Sequence, residues 1–306
     1  MKTIYSANSA KKIAPKIANI LGIITIISWG SLGLLGSQAA SLPPFFVLAV
    51  CFWGASAIGL SVIALSANRI KTGSINFVDC AVGGVFLFGY HYLYFLAFHY
   101  APAAEVSLLN YLWPAFVIII GNLFFSLRSG WRGMLAAAIG FAGIAVLFGA
   151  NLQVLTQQDN QFGFALALIG AIVWATYSNL RRNSRGEVLP TVTIICAIAA
   201  TLSTGFSWAS ESQQLPSSEQ LITLMLLTLG PAGGAFFLWD LALKKGNAAL
   251  LAVLGYGAPL ISTALLVVAG LAEPSLRLVM ATLLIAVGGL VTIKRTKSSK
   301  LANSRG

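Results

Sequence analysis

Charged residues are scarce in this sequence. Asp, Glu, Lys and Arg make up 9% of the 306 residues, whereas hydrophobic residues make up 58%. Soluble domains carry about 25% charged residues, so a water-soluble globule is excluded. Since one membrane-spanning helix takes about 20 apolar residues, the chain has room for roughly ten to twelve spans and for no sizeable domain outside the lipid.

Cysteines and acidic residues are also few, at three and eight respectively. Cys51, Cys80 and Cys196 lie within or at the ends of apolar runs and lack the spacing of a metal or redox site, so we expect buried hydrophobic side chains. The acidic residues form no paired motif. An intramembrane lipid or polyprenyl-phosphate transferase usually needs metal-binding acids or a basic phosphate-binding cluster. We therefore expect no metal, no cofactor and no enzymatic activity.

What the sequence does contain is a series of ten apolar stretches bounded by charged or turn residues. The first resembles a signal peptide, but its apolar run of about twenty residues exceeds the usual 7 to 15, so we expect it to be retained as a helix. The stretches predict an all-α polytopic membrane protein with ten transmembrane helices at residues 17–37, 43–65, 77–99, 102–125, 133–150, 162–180, 189–209, 219–243, 247–270 and 276–293.

The basic residues lie almost entirely on one side of these ten stretches. Of the 19 Lys and Arg residues, only Arg277 falls in a connection on the other side. By the positive-inside rule, both termini are cytoplasmic, which requires an even number of spans. The net charge of +11 is thus an orientation signal, and we expect no nucleic-acid partner.

The chain contains an internal repeat. Each half has five predicted spans, an odd number, so the second half is predicted to be inverted relative to the first, as in secondary transporters. The predicted organisation is a cytoplasmic tail at 1–16, repeats at 17–150 and 162–293, and a basic cytoplasmic tail at 294–306. One offset of 145 residues superposes Trp29 on Trp174, Gly89 on Gly234, Pro114 on Pro259 and Gly143 on Gly288.

Proline interrupts three of the predicted spans. Pro114, Pro231 and Pro259 each remove a backbone donor and open the preceding turn. In lipid this is tolerated only where a neighbouring helix or a water-lined cavity meets the freed carbonyls. Packing kinks would explain each proline singly, because proline is common in membrane helices. The matched pair Pro114 and Pro259 favours a central site between the two halves.

Aromatic and polar residues at membrane depth supply the candidate binding site. Tyr90, His91 and Tyr94 share one face of the third span, within about 100° of arc, and their polar groups need partners that lipid lacks. An aromatic packing face is the alternative interpretation. The remaining candidates for substrate binding are Asn110, Tyr111 and Trp113 in the fourth span, Trp174 and Tyr177 in the sixth, and Tyr256 in the ninth.

The fourth span poses a geometrical question. On an ideal helix Tyr111 and Trp113 point in nearly opposite directions, so both reach one cavity only if that cavity is wide or if Pro114 unwinds the turn. Asn110 would serve equally well as an interhelical hydrogen-bonding group.

No Lys, Arg, Asp or Glu falls near the middle of any predicted span. A substrate that pairs with a buried cation, or a drug exchanged for a proton on a buried acid, is therefore disfavoured. A zwitterion with an apolar side chain fits better, because helix ends can meet its charges and aromatic rings its side chain. Asp79 and Asp240 lie near cytoplasmic ends and are assigned structural roles, Asp240 as the helix-end partner of Lys244.

Three stretches carry a resemblance to a known family: EVSLLNYLWP at 105–114, GAIVWATY at 170–177 and WDLALKKGNA at 239–248. With the ten spans and the tandem halves, the chain resembles the drug/metabolite transporter superfamily of EamA type, and within it the YddG-like aromatic amino acid exporters. The resemblance implies a basket-shaped bundle around a central cavity in a bacterial inner membrane. It also implies cavity roles for Asn110, Tyr111, Trp113, Pro114 and Trp174.

The expected function is export of aromatic and other neutral amino acids by a monomer that works by alternating access, with the substrate at the midplane between the repeats. His91 is the only ionisable residue at depth, so the coupling is left open. One alternative is an exporter of another small neutral metabolite or drug. Another is a structural or chaperone-like membrane subunit, which predicts a dry interface and no internal symmetry.

Overall fold

The computed structural model describes residues 14–65, 75–125, 130–148, 157–184, 187–212, 214–245, 255 and 257–290, and all regular structure within these ranges is helical. A short 3-10 helix, Ala39–Ser41, follows the second of the α-helices. The thirteen α-helices of this part of the chain are α1 (Pro15–Gly30), α2 (Leu32–Gln38), α3 (Pro44–Leu65), α4 (Phe77–Tyr100), α5 (Ala103–Asn110), α6 (Trp113–Phe124), α7 (Gly130–Phe148), α8 (Gln158–Asn183), α9 (Val188–Ser210), α10 (Ser218–Leu229), α11 (Gly234–Lys245), α12 (Ala258–Val268) and α13 (Leu276–Leu290).

Seven helical stretches in the described ranges are long and apolar enough to cross a membrane, and their bounds lie within a few residues of predicted spans one to four and six to eight. They are Pro15–Ser41, Pro44–Leu65, Phe77–Tyr100, Ala103–Phe124, Asn160–Arg181, Val188–Ser210 and Ser218–Ala242. Shorter apolar helices stand at the fifth, ninth and tenth predicted spans: Trp131–Val146, Ala258–Val268 and Leu276–Gly288. The all-helical membrane architecture is confirmed, and the count of ten spans stays a prediction.

Local sequence explains where several helices begin. Proline occupies the first turn of α1, α6 and α12, where its missing N–H group costs no intrahelical hydrogen bond. Asn76 caps α4, because its side chain accepts hydrogen bonds from the backbone N–H groups of Val78 and Asp79. Ser217 and Gln220 form a capping box on α10. These side chains accept hydrogen bonds from backbone N–H groups that the first turn of a helix leaves without partners.

The helices of the two halves interlock. By the offset of 145 residues, α3 corresponds to α9, α6 to α12 and α7 to α13, while α1 and α2 correspond to α8, and α4 corresponds to α10 and α11. α3 packs along α9 and α7 along α13, so corresponding helices lie side by side. α4 packs on α8 in the same way as α1 packs on α11 and α2 on α10. Exchanging the two halves therefore leaves these helix neighbours unchanged.

The interface between α7 and α13 repeats this relationship in atomic detail. A Cβ atom added to Gly143 would lie 2.9 Å from the carbonyl oxygen of Ala281, and one added to Gly288 would lie 2.9 Å from the carbonyl oxygen of Ala136. Ala136 and Ala281 are themselves separated by the offset. Glycine is needed at both positions because the two backbones approach closely.

Two clusters of buried apolar side chains hold the centre of the bundle. The larger cluster consists mainly of residues from α3, α4, α8 and α9, and the smaller one joins α1, α5, α12 and α13. Trp113, at the start of α6, packs against both clusters. The boundary between α5 and α6 therefore lies where the two clusters meet, and this is the place where the candidate site forms.

Candidate functional site

Helix interruptions surround the centre of the bundle. α1 ends at Gly30 and α2 begins at Leu32, α5 gives way to α6 across residues 111–112, and α10 gives way to α11 across residues 230–233. Pro114 lies in the first turn of α6, Pro259 in the first turn of α12, and Pro231 in the interruption after α10. Each of the three predicted helix-break prolines thus stands at an interruption or at a helix start, where a missing N–H group is tolerated.

A small cavity lies among these interruptions. Its volume is about 30 Å³, which is room for about two water molecules. No Lys, Arg, Asp or Glu is among the described residues that line it, and the described part of the chain contains no His, Cys, Asp and Glu group that could hold a metal ion. The lining residues are Trp29, Leu32, Tyr90, His91, Asn110, Tyr111, Trp113, Trp174, Pro231, Phe236, Gly255 and Ala258.

Most of the predicted site residues meet at this cavity. The third and fourth predicted spans contribute most of them, and one comes from the sixth and one from the eighth. The seven predicted residues that line the cavity are Tyr90, His91, Asn110, Tyr111, Trp113, Trp174 and Pro231.

Tyr111 and Trp113 both face the cavity because the chain leaves the helix between them. Residues 111–112 form a turn, so the angular spacing of an ideal helix does not apply there. The cavity is small, and the turn next to Pro114 is tightened and not unwound, because the Leu112 N–H group donates to the carbonyl of Leu109, three residues back.

The ring of Trp174 is the centre of an aromatic cluster. Its centroid lies 4.7 Å from that of Tyr90, 6.0 Å from that of Trp29 and 6.4 Å from that of Trp113. The contacts with Trp29 and Trp113 are edge-on, with interplanar angles of 85° and 84°, an arrangement that aromatic quadrupoles favour. Trp29 and Trp174 are the tryptophans superposed by the offset, so corresponding residues of the two halves touch at the cavity.

Only one of the two polar atoms of the Asn110 amide has a hydrogen-bond partner. Its Nδ2 atom donates to the Tyr90 hydroxyl at 3.1 Å, whereas its Oδ1 atom is buried and has no hydrogen-bond partner in the structure. A buried oxygen without a partner costs free energy that a ligand with an N–H group would recover. Asn110 therefore presents an available acceptor at the cavity wall.

Two further polar groups at the wall have protein partners. The Tyr111 hydroxyl donates to the backbone carbonyl of Trp29 at 3.0 Å and thereby ties the end of α1 to the turn before α6. His91 Nδ1 lies 2.9 Å from the carbonyl oxygen of Leu87. Because a carbonyl oxygen only accepts, Nδ1 is the protonated nitrogen of this pair.

Four of the predicted residues do not line the cavity, and a fifth cannot be placed. Tyr94 lies one turn beyond Tyr90, and its hydroxyl donates to Ser107 Oγ at 3.3 Å. Tyr177 packs behind Trp174, with ring centroids 5.2 Å apart. Pro114 and Pro259 stand at helix starts next to lining residues, and Tyr256 lies outside the described residues.

Five lining residues were absent from the predicted set: Trp29, Leu32, Phe236, Gly255 and Ala258. The offset could have added Trp29, because it superposes on Trp174. The others are apolar or small residues in an apolar sequence and carry no distinguishing signal. Only the packing of α2, α11 and α12 brings Leu32, Phe236 and Ala258 to the cavity.

A bundle of apolar helices that are interrupted around a central cavity, with no charged side chain among the described lining residues, is the architecture of a membrane transporter. The chain belongs to the EamA-like transporter family, whose sequence profile matches residues 16–149 and 161–294. The second match begins and ends 145 residues after the first, which is the predicted repeat offset. Because the family consists of transporters, the protein is a transporter and not an enzyme.

Curated relatives match nearly the whole chain. The aromatic amino acid exporter YddG of Ancylobacter novellus is 34% identical over 287 residues, which is 90% of this chain and 96% of the relative. The aromatic amino acid exporter YddG of Escherichia coli K12 is 27% identical over 293 residues. A solved crystal structure that is 32% identical superposes with a TM-score of 0.74 and covers 92% of this chain. The resemblance to EamA-type drug/metabolite transporters and YddG-like exporters is confirmed.

Proposed function

We propose that the protein exports aromatic and other neutral amino acids across a bacterial inner membrane. The relatives named above as aromatic amino acid exporters support this proposal. The observation that carries it is the composition of the cavity wall: three tryptophans, two tyrosines and a phenylalanine, with no charged side chain among the described lining residues. Such a wall favours an aromatic or apolar side chain and disfavours a substrate with net charge.

A zwitterion could bind this wall through both of its charges. The buried Oδ1 atom of Asn110 is an acceptor for the substrate's ammonium group, and the tryptophan faces add cation–π attraction. α6 begins at Trp113 beside the cavity, and the backbone N–H groups of a first helical turn are able to bind a carboxylate. The substrate's side chain would then stack on the rings around Trp174.

Transport would proceed by alternating access between the two five-helix halves, with ten spans, an inverted second half and both termini in the cytoplasm. The pseudo-twofold helix packing supports this arrangement. A monomer suffices, since the two halves of one chain enclose the cavity. Ligand sites usually have volumes of some hundreds of Å³, so a cavity of about 30 Å³ must expand to accept an amino acid.

Counterflow in liposomes tests the substrate class. Purified protein is reconstituted with unlabelled phenylalanine inside the vesicles, and entry of labelled phenylalanine is followed. We expect accumulation that tryptophan, tyrosine and threonine inhibit and that glutamate and lysine do not. Inhibition by a nucleobase or a lipophilic drug, but by none of the amino acids, would favour the alternative substrate class. Absence of counterflow with every aromatic or neutral amino acid would overturn the proposal.

Variants at the cavity wall test the site in the same assay. Trp113→Ala and Asn110→Leu should lower the initial rate at least about tenfold, because each removes a group that holds the substrate. Trp208→Ala is the matched control, since Trp208 is 78% exposed near the end of α9 and is not a lining residue. Wild-type rates for both cavity variants in folded protein would show that the substrate binds elsewhere.

A further inference from the structure

A charged cluster joins three helices beyond the cavity. Arg181 Nη2 lies 3.1 Å from Asp240 Oδ2, and Arg181 Nη1 donates to Ser184 Oγ at 3.2 Å. The Ser184 hydroxyl in turn donates to Asp79 Oδ2 at 3.0 Å. The cluster therefore links the end of α8 to α11 in its own half and to the start of α4 in the other half.

This cluster is largely shielded from solvent. The side chains of Arg181 and Asp240 are 10% and 19% exposed, and the Arg181 Nε atom is buried without a hydrogen-bond partner in the structure. Each charge of such a shielded pair depends on the other, because removing one of them leaves the remaining charge poorly solvated. Lys244, assigned to Asp240 from the sequence, has a side chain outside the described residues.

An aromatic layer separates the charged cluster from the cavity. Tyr177 packs against Trp174, with ring centroids 5.2 Å apart, and Trp239 packs against Trp29 at 4.9 Å. Arg181 lies one turn after Tyr177 on α8, about 10 Å along the helix from Trp174. The aromatic rings therefore lie between the cavity and the ion pair along α8.

The other end of the bundle has no such cluster at the corresponding positions. The offset of 145 residues carries Arg181 to Gly36, Asp240 to Phe95, Asp79 to Leu224 and Ser184 to Ala39. All four of these residues are buried, and a Cβ atom on Gly36 would lie 2.7 Å from the ring of Phe98. The cluster thus has no counterpart at these four positions, and the other end is joined differently, since the Glu211 carboxylate accepts hydrogen bonds from the backbone N–H groups of Phe45 and Phe46.

We propose that Arg181, Asp240, Ser184 and Asp79 form a latch that closes the cavity on the side of the basic connections and must separate whenever substrate passes there. This inference rests on the proposed alternating-access exporter. Charged groups suit a reversible closure, because water that enters an opening path solvates both partners. The latch therefore stabilises the conformation that is closed on the cytoplasmic side.

Cys80 provides a native reporter of this opening. It follows Asp79 on α4 and is 1% exposed. In a Cys51→Ala, Cys196→Ala background, the rate at which a small methanethiosulfonate reagent modifies Cys80 measures how often water reaches the latch. We expect Asp240→Asn and Arg181→Gln to raise this rate at least about tenfold, and Ser184→Ala to raise it less.

Two variants control for loss of charge and for loosened packing. Arg277→Gln removes the exposed cation beyond the opposite end and should leave the rate of Cys80 modification unchanged. The charge exchange Arg181→Asp with Asp240→Arg should return the rate toward that of the background protein. If the exchange does not restore protection, attraction between these charges is not what closes this end, and the proposal is overturned.

Unchanged modification in folded Asp240→Asn, Arg181→Gln and Ser184→Ala proteins would also overturn the latch. Ser184→Ala removes only one hydroxyl group. If the charge variants do not fold, the rate of Cys80 modification in Ser184→Ala still tests the latch. The labelling needs no substrate. Failure of wild-type counterflow would therefore contradict the proposed exporter function alone, and failure of the labelling result would contradict the latch alone.

Discussion

The indole of Trp174 and the indole of Trp29 show how corresponding residues come to differ in local setting. Trp174 lies within α8, which runs unbroken from Gln158 to Asn183, whereas Trp29 lies in the last turn of α1, just before the interruption. The two rings touch at 6.0 Å. Trp174 is therefore held by a continuous helix, and Trp29 depends on side chains that stabilise the end of α1.

The hydroxyl of Tyr111 is one such side-chain group. Tyr111→Phe removes the hydroxyl that donates to the Trp29 carbonyl, and the loss of one such partly buried hydrogen bond costs about 0.5–1.5 kcal/mol. We expect the free energy of unfolding to fall by about that amount, which reversible unfolding of the purified protein in mixed micelles measures.

Tyr100→Phe is the control for the loss of a phenolic hydroxyl. Tyr100 is 38% exposed, and its ring packs edge-on against Phe162, a contact that the substitution keeps. Its stability should match that of the wild type. Equal stability of the Tyr111→Phe and Tyr100→Phe proteins would mean that the hydroxyl of Tyr111 does not stabilise the interruption.

At the scale of helices, continuity divides the bundle into two sides. α4 and α8 are both unbroken and pack on each other, whereas the corresponding stretches, α1 with α2 and α10 with α11, are both interrupted and also pack on each other. The repeat thus preserves helix neighbours but not helix continuity. Tyr90 and His91 come from the continuous side, and Pro231 and Phe236 come from the interrupted side.

The α7–α13 pair offers a direct test of close helix packing. Gly143→Ala places a methyl group 2.9 Å from a backbone oxygen and from Ile285, and overpacking of this kind costs about 1–3 kcal/mol. We expect the unfolding midpoint in detergent to fall accordingly. Gly288→Ala, at the corresponding position, should have a similar effect.

Gly205→Ala is the matched control, because a Cβ atom at Gly205 in α9 would meet nothing within 4 Å. Helical Gly→Ala changes without a clash stabilise by about 0.5–1 kcal/mol, so this variant should unfold at the wild-type temperature or slightly above it. A midpoint as low as that of Gly143→Ala would show that loss of glycine, and not the helix contact, is responsible.

At the scale of the whole molecule, charge and symmetry carry different information. The family profile matches the chain twice, at residues 16–149 and 161–294, and the helices pack with pseudo-twofold symmetry. The positive charges instead lie in the tails and connections on one side of the predicted spans. Arg277 is the only basic residue assigned to the opposite side. Positive charges near helix ends determine how helices are oriented in the membrane. These charges therefore predict the orientation of both halves.

Reporter fusions test this orientation. A fluorescent protein at the C-terminus should fluoresce, and alkaline phosphatase at the same place should be inactive, because the tail at 294–306 is predicted to be cytoplasmic. Alkaline phosphatase inserted after residue 214, between α9 and α10, should be active. The opposite pattern would invert the predicted orientation, and equal activity at both places would contradict an odd number of spans between them.

Several features of the site could be predicted from particular residues. The sequence EVSLLNYLWP placed Asn110, Tyr111 and Trp113 together, and the cavity contains all three. Helical spacing also grouped Tyr94 with Tyr90, but Tyr94 lies one turn further along α4 and bonds to Ser107. A helical face indicates the direction of a side chain and not its depth, so periodicity alone could not separate these two tyrosines.

The sequence by itself determined the membrane class, the helical architecture and the twofold repeat, because apolar length, charge position and a constant offset are properties of the chain in order. Only the tertiary structure decided which side chains share the cavity. Phe236 and Ala258 reach it, and Tyr177 lies behind Trp174. The physical reason is that the interruptions at residues 111–112 and 230–233 change the direction of the chain, and that side chains from the two halves pack together. Local periodicity encodes neither of these.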